Sequence, residues 1–276
     1  MNLVVQGPGV TTAQASELAR LCGARAFEQI GATAYRLRGA SANPAVAAFC
    51  FEHKLDCACV PEGLRFADLK LLALDMDSTL ITIECIDEIG DMAGKKAQIA
   101  EITARAMRGE IAYPESLQRR VGLLAGLGIE ALQRVYDERL RLSPGAEQLI
   151  DACKKHGVKL LLVSGGFTFF TDRLKQRLGL DFTLSNQLEI DEGRLTGRLV
   201  GRIVDAKAKA ARFRELAHAL GASRGQTVAI GDGANDLPLL GEAGTSVAYR
   251  AKPLVQAKAG CALNYSGLDG VIHLFE

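Results

Sequence analysis

No basic tract, and no basic stretch interleaved with aromatics, occurs anywhere in this 276-residue chain: 33 lysines and arginines face 32 aspartates and glutamates, a formal net charge of +1. That balance leaves no electrostatic footing for a nucleic-acid partner, so charge must act locally. No segment approaches the roughly 18 uninterrupted apolar residues of a membrane span. The opening residues, MNLVVQGPGVTTAQASE, carry neither the basic n-region nor the long apolar run of a secretory signal. Cys22, Cys50, Cys57, Cys59, Cys85, Cys153 and Cys261 form an odd, scattered set without paired C-x-x-C metal spacing. They read as reduced, mostly buried thiols in a cytoplasmic protein with neither nucleic acid nor membrane as partner. What is present, 48% hydrophobic and 24% charged residues, suits one large or two moderate domains.

Two rhythms divide the chain. Residues 1–66 read as a small α+β domain: an apolar start (LVVQG), a helical pattern (TTAQASELARLCGA), an alternating piece (ATAYRLRG), a second helix (PAVAAFCFEHKL) and DCACV. Cys57 and Cys59, two apart, share a strand face and are expected in the core. From Lys70 onward, short aliphatic runs end in small or acidic residues and lead into helical stretches: LLALD, KLLLVSGGF and TVAIGDGAND. Such runs are strands of a parallel sheet buried on both faces. The long segment between the first two has helical periodicity and no convincing strand. It predicts a helical cap over residues 85–143, inserted into a core formed by 67–84 and 144–276. A turn at Asp191-Glu192-Gly193 predicts a β-hairpin near 183–203.

The stretch LLALDMDSTLITIE sets Asp75 and Asp77 at the end of a buried strand, with Glu84 seven positions on. Aspartates there can simply cap a turn or a helix. A calcium loop fails, because position six is Leu80 and position twelve is Ile86. Open parallel sheets place ligand sites beyond the carboxyl ends of their strands. Ser164-Gly165-Gly166 ends the second strand, where glycines let backbone N–H groups approach an anion. Gly231-Asp232-Gly233-Ala234-Asn235-Asp236 ends the third and adds two carboxylates. Converging aspartates raise one another's pKa, and a hard divalent cation such as Mg²⁺ resolves the conflict. A carboxylate beside a metal and an anion-binding serine can act as a nucleophile that forms an aspartyl-phosphate. The transferred charge then needs a lysine, which VDAKAKAARFRELA offers as Lys207 or Lys209.

Together, DMDSTLITIECIDEIG, RGEIAYPESLQRRVGLL, KLLLVSGGFTFF, VDAKAKA and IGDGANDLPLL resemble, in order and over about residues 70–270, the haloacid dehalogenase-like phosphohydrolases, and among them the phosphoserine phosphatases. The resemblance implies a Rossmann-like doubly wound α/β sheet with a helical cap, preceded by a small N-terminal domain similar to degenerate ACT-like regulatory domains. It implies Asp75 as nucleophile and Asp77 as general acid/base. Ser164, with Gly165 and Gly166, would hold the phosphoryl group with Lys207, chosen because Asp205-Ala206-Lys207 matches the family's N-A-K setting. Mg²⁺ would sit on Asp75, the Asp77 carbonyl and Asp232, with Asp236 supporting the shell and Asn235 contacting phosphate. In the cap, Glu84 would take the substrate ammonium and Arg120 its carboxylate, with Tyr113 as a shield. The implied reaction is hydrolysis of O-phospho-L-serine, the last step of serine biosynthesis. The alternatives are a phosphatase or phosphotransferase of the same superfamily acting on another small phosphomonoester, or an inert amino-acid-binding regulator. The expected partner is the small-molecule substrate, with a homodimer left open.

Overall fold

The computed structural model describes residues 1–276. Its first unit runs β1 (Asn2–Gln6), α1 (Thr12–Cys22), β2 (Ala26–Gly31), β3 (Ala34–Arg38), α2 (Pro44–Glu52) and β4 (Asp56–Val60), an antiparallel sheet in the order β2-β3-β1-β4. This is a βαββαβ arrangement of the ferredoxin-like kind. Local chemistry sets the helix ends. Thr11 and Gln14 form a capping box, Gly23 closes α1 in the left-handed conformation, and Asn43 caps α2 ahead of Pro44. One sheet face, with Leu3, Val5, Tyr35 and Leu37, packs under both helices against Leu18 and Val46. The other, with Val4, Ala58 and Val60, joins the main core.

Cys57 and Cys59 do share a face of β4, but Cys57 is half-buried and Cys59 exposed. The buried positions belong instead to Asp56, Ala58 and Val60, on the face that joins the main core; Cys57 and Cys59 lie on the helix-covered face at the sheet's edge, where Cys57 packs against the helix-side core and Cys59 meets solvent. Asp56 joins the two units: its carboxylate accepts the N–H groups of Asn264, Tyr265 and Ser266 at 2.7, 3.1 and 2.8 Å. Arg36 adds donors to the carbonyls of His273 and Phe275.

The second unit opens with β5 (Leu71–Leu74) and then four helices without a strand, α3 (Cys85–Met92), α4 (Lys96–Met107), α5 (Tyr113–Gly122) and α6 (Ile129–Arg134). It continues with α7 (Ala146–His156), β6 (Lys159–Phe167), α8 (Thr168–Leu178), β7 (Phe182–Asp191), β8 (Arg194–Val200), α9 (Ala206–Ala219), β9 (Thr227–Gly231), α10 (Leu237–Glu242), β10 (Thr245–Tyr249), α11 (Pro253–Gln256) and β11 (Cys261–Leu263). The sheet order is β11-β10-β9-β5-β6-β7-β8, parallel except for β8. Every residue of β5 is buried, with Leu72 and Leu74 in one cluster and Leu71 and Ala73 in another. This explains its unbroken apolar run. The β7–β8 hairpin turns through Glu192 and Gly193, both at positive φ as such a turn requires. It supports the cap through backbone bonds between Leu195 and both Gly126 and Leu127.

Candidate active site

In the register of the sheet, Leu74 lies opposite both Leu162 and Ile230. Consequently Asp75, Ser164 and Asp232 leave three adjacent strands at the same end, at the crevice where the chain order switches sides. Asp75 is 4% exposed, and its Oδ1 accepts from Lys209 Nζ at 2.6 Å. The same ammonium donates to Asp236 Oδ1 at 2.9 Å, while Gly233 N–H donates to Asp236 Oδ2 at 3.1 Å. Thr79 Oγ1 donates to Asp232 Oδ1 at 3.1 Å. Asp77 points the other way: its Oδ1 accepts the Cys85 N–H at 2.9 Å, and Ser164 Oγ reaches its Oδ2 at 3.4 Å. Gly166 N–H donates to Ser164 Oγ at 2.8 Å. A Cβ on Gly166 would stand 2.8 Å from Asp77 Oδ2 and 3.0 Å from Ser164 Oγ, so only glycine leaves this cradle open.

Negative charge is in excess here. Burial, then the neighbouring Asp236, pushes the Asp75 carboxyl up against the pull of Lys209. Burial likewise raises Asp77, offset by its bond from Cys85. Asp232 is pushed up to about 6 by burial and Asp236. For Lys209, burial alone would lower the ammonium pKa, but Asp236 and Asp75 outweigh it and hold it above its ordinary range. The aspartates' only ion pairs are those with Lys209. Carboxylate oxygens of Asp75, Asp232 and Asp236 all lie within 4.8 Å of one another. This all-oxygen set could hold a divalent metal, and the charge excess is what a hard cation relieves.

The cap supplies the remaining groups. Glu84 precedes α3 at the open side of the site, where Ser78 Oγ donates to it at 2.6 Å. Its carboxyl is pushed up to about 7, chiefly by lost solvation in the cleft and then by Asp77. Ser78 holds this position at a φ of +56°, uncommon for a side-chain-bearing residue. Arg120 is half-buried on α5, its Nε donating to the Ser116 carbonyl at 3.3 Å, within electrostatic reach of Asp87 and the Tyr113 hydroxyl. The Tyr113 hydroxyl itself donates to the Gly165 carbonyl at 3.2 Å. Asn235 is exposed at the lip, with Nδ2 3.4 Å from Asp236 Oδ1.

One expectation is overturned: Lys207 is exposed, and Lys209, 1% exposed, is the lysine at Asp75. The reason is helical phase. Lys209 lies on the inward stripe of α9 with Phe213 and Leu216, whereas Lys207 shares the outward face with Ala211 and Arg214. Asp205 is the N-cap of that helix, its Oδ1 accepting from Ala208 N–H at 2.8 Å, so the motif's first position is set by capping. The apolar spacing from Lys209 was the signal that could have selected it. Thr79 and Ser78 were also missed; both lie inside the quoted aspartate motif, but only the bend that follows β5 turns their hydroxyls toward Asp232 and Glu84.

A doubly wound sheet with an aspartate-bearing crevice under a helical cap defines a haloacid dehalogenase-like hydrolase. That family's model matches residues 72–241, and the chain belongs to the family. A domain of unknown function matches residues 3–46. The phosphoserine phosphatase of Polaromonas sp. is 56% identical over 218 residues, 77% of this chain and 92% of that protein. The crystal structure of a probable phosphoserine phosphatase from Vibrio cholerae superposes with a TM-score of 0.88 at 38% identity, over 99% of this chain and 85% of that one. A substrate-bound phosphoserine phosphatase superposes with a TM-score of 0.70 at 35% identity, over 75% and 99%. Within the family, the chain is an enzyme of the phosphoserine phosphatase group.

Proposed function

We propose that the protein hydrolyses O-phospho-L-serine to L-serine and phosphate through an aspartyl-phosphate on Asp75, with Mg²⁺, as the last step of serine biosynthesis. The observation that carries this reading is the convergence of Asp75, Asp77, Ser164 and Lys209 on one cradle, with Glu84 bonded to Ser78 beside it and Arg120 within electrostatic reach of the Tyr113 hydroxyl that bonds Gly165. Asp75 attacks the phosphorus while Lys209 holds its charge and that of the incoming phosphoryl oxygens. Asp77, whose burial keeps its proton closer to neutral pH, protonates the leaving serine oxygen and then takes a proton from the attacking water. Ser164, its Oγ oriented by the Gly166 N–H, holds the phosphoryl oxygens. Glu84 receives the ammonium and Arg120 the carboxylate, the latter suited to a guanidinium fork. The metal would be held by Asp75, Asp232 and the Asp77 carbonyl; Asp236, both of whose oxygens already accept hydrogen bonds, supports it from behind. When bound it offsets the charge of the phosphoryl group.

Two results test this. Phosphate release should cease in chelator and return with Mg²⁺, and Asp232→Ala should weaken the return; full activity in chelator refutes the metal assignment. In a panel of phosphomonoesters, phosphoserine should be preferred, and Arg120→Ala should lower its kcat/KM at least about thirtyfold, since truncating one side of a buried charge pair costs about 2–5 kcal/mol. Hydrolysis of p-nitrophenyl phosphate, which has nothing for Arg120 to hold, should fall far less. Equal losses on both substrates would assign Arg120 to supporting the cap and remove the argument for phosphoserine.

A further inference from the structure

The strand that carries Ser164 is irregular. Val163 on β6 pairs with Leu184 on β7, and the next pairing joins Phe167 to Asn186. Four residues of β6 are thus spent against two of β7, and Ser164-Gly165-Gly166 bulges out of the ladder into the site. A bulge leaves ladder groups without partners, and a peptide between two glycines is the freest to rotate. The Gly165 carbonyl is nevertheless held twice, by Asn186 Nδ2 at 2.7 Å and by the Tyr113 hydroxyl at 3.2 Å. Asn186 is 2% exposed, and its other end accepts the Val204 N–H at 2.8 Å, just ahead of the helix that carries Lys209.

In a trans peptide the C=O and the N–H point in opposite directions. Pinning the Gly165 carbonyl therefore aims the Gly166 N–H the other way, toward Ser164 Oγ and the cradle beside Asp77. We infer that Asn186 is a positioning residue for phosphoryl binding: one end of its amide orients the Gly165–Gly166 peptide and the other ties that loop to the entry of the lysine-bearing helix. The role needs a donor at one end and an acceptor at the other, which an amide has and a carboxylate lacks. Tyr113, at the start of α5, reaches the same carbonyl from the cap, so the loop is tied to core and cap at one atom.

The inference rests on the phosphoryl-transfer reading of the site but not on the identity of the ester, so its test uses inorganic phosphate and p-nitrophenyl phosphate. Asn186→Asp keeps the shape and the acceptor for Val204 while facing the Gly165 carbonyl with an oxygen. Expected is a loss of at least about tenfold in phosphate affinity, measured by calorimetry on the folded enzyme with Mg²⁺, as when a Ser164 hydroxyl no longer oriented by Gly166 loses its hydrogen bond to the charged phosphate. Expected with it is an equal or larger loss of kcat/KM for p-nitrophenyl phosphate and phosphoserine alike. Asn186→Ser, which buries no charge, should lose phosphate affinity in the same direction and serves if the aspartate variant does not fold. A purely architectural Asn186 would lower the melting temperature and leave the folded fraction's phosphate affinity within threefold of the parent. That result in either folded variant overturns the inference. A parent enzyme that binds phosphate but prefers another ester would correct the substrate and leave this test standing.

Discussion

Asp75→Asn should abolish turnover, by at least about 10⁴-fold, while leaving a folded protein. The amide preserves the shape of the side chain but cannot attack phosphorus. Its effect on stability should be small or favourable, because the residue it replaces is one carboxylate too many: burial and Asp236 both disfavour its charge, and only Lys209 opposes them. The checks are single-turnover phosphate release and a thermal melt. Turnover within tenfold of the parent would remove Asp75 as nucleophile, and a melting temperature well below the parent would show that the Lys209 bond outweighs the repulsion.

Lys209→Ala should be the second severe change, and Lys207→Ala should be nearly silent. Lys209 bonds two buried carboxylates, and breaking one side of a buried ion pair typically costs about 3–5 kcal/mol because a charge is left without its partner. On top of that loss of stability, kcat should fall by about 10²–10³-fold, as when a preorganised donor to a developing anion is removed. Lys207 is exposed and makes no ion pair, so its removal should leave kcat/KM within about twofold. Measuring both variants side by side at a temperature where each is folded separates catalysis from stability. Equal effects would return the assignment to the motif spacing and take it away from helical phase.

The lysine pair shows where sequence reading stops. Short range alone places Asp75, Asp77, Ser164, Gly166, Asp232 and Asp236 at strand ends, because strands buried on both faces announce themselves by composition and the residues that break them mark their ends. Helical pieces of the cap and the hairpin turn are equally local, set by periodicity and by a Glu192-Gly193 pair that accepts positive φ. Alternation, by contrast, tells which residues of β4 share a face but not how far each face is covered at the sheet's edge, and Cys59 went to solvent while Asp56 went inside to hold three backbone N–H groups.

What the sequence by itself determined is the three central strands of the parallel sheet, the hairpin, the helical cap and the acidic residues at the strands' carboxyl ends, all of which follow from local periodicity and strand composition. The spacing of Lys209, Phe213 and Leu216 marks the inward stripe of α9, but only the packing of that stripe against the sheet sets Lys209 on Asp75 and Asp236. Tertiary structure alone likewise brought Thr79 to Asp232, Tyr113 to Gly165 and Asn186 to the same carbonyl. Partners separated by 153, 52 and 21 residues meet only through the sheet register and the docking of the cap, and neither leaves a mark on the local sequence.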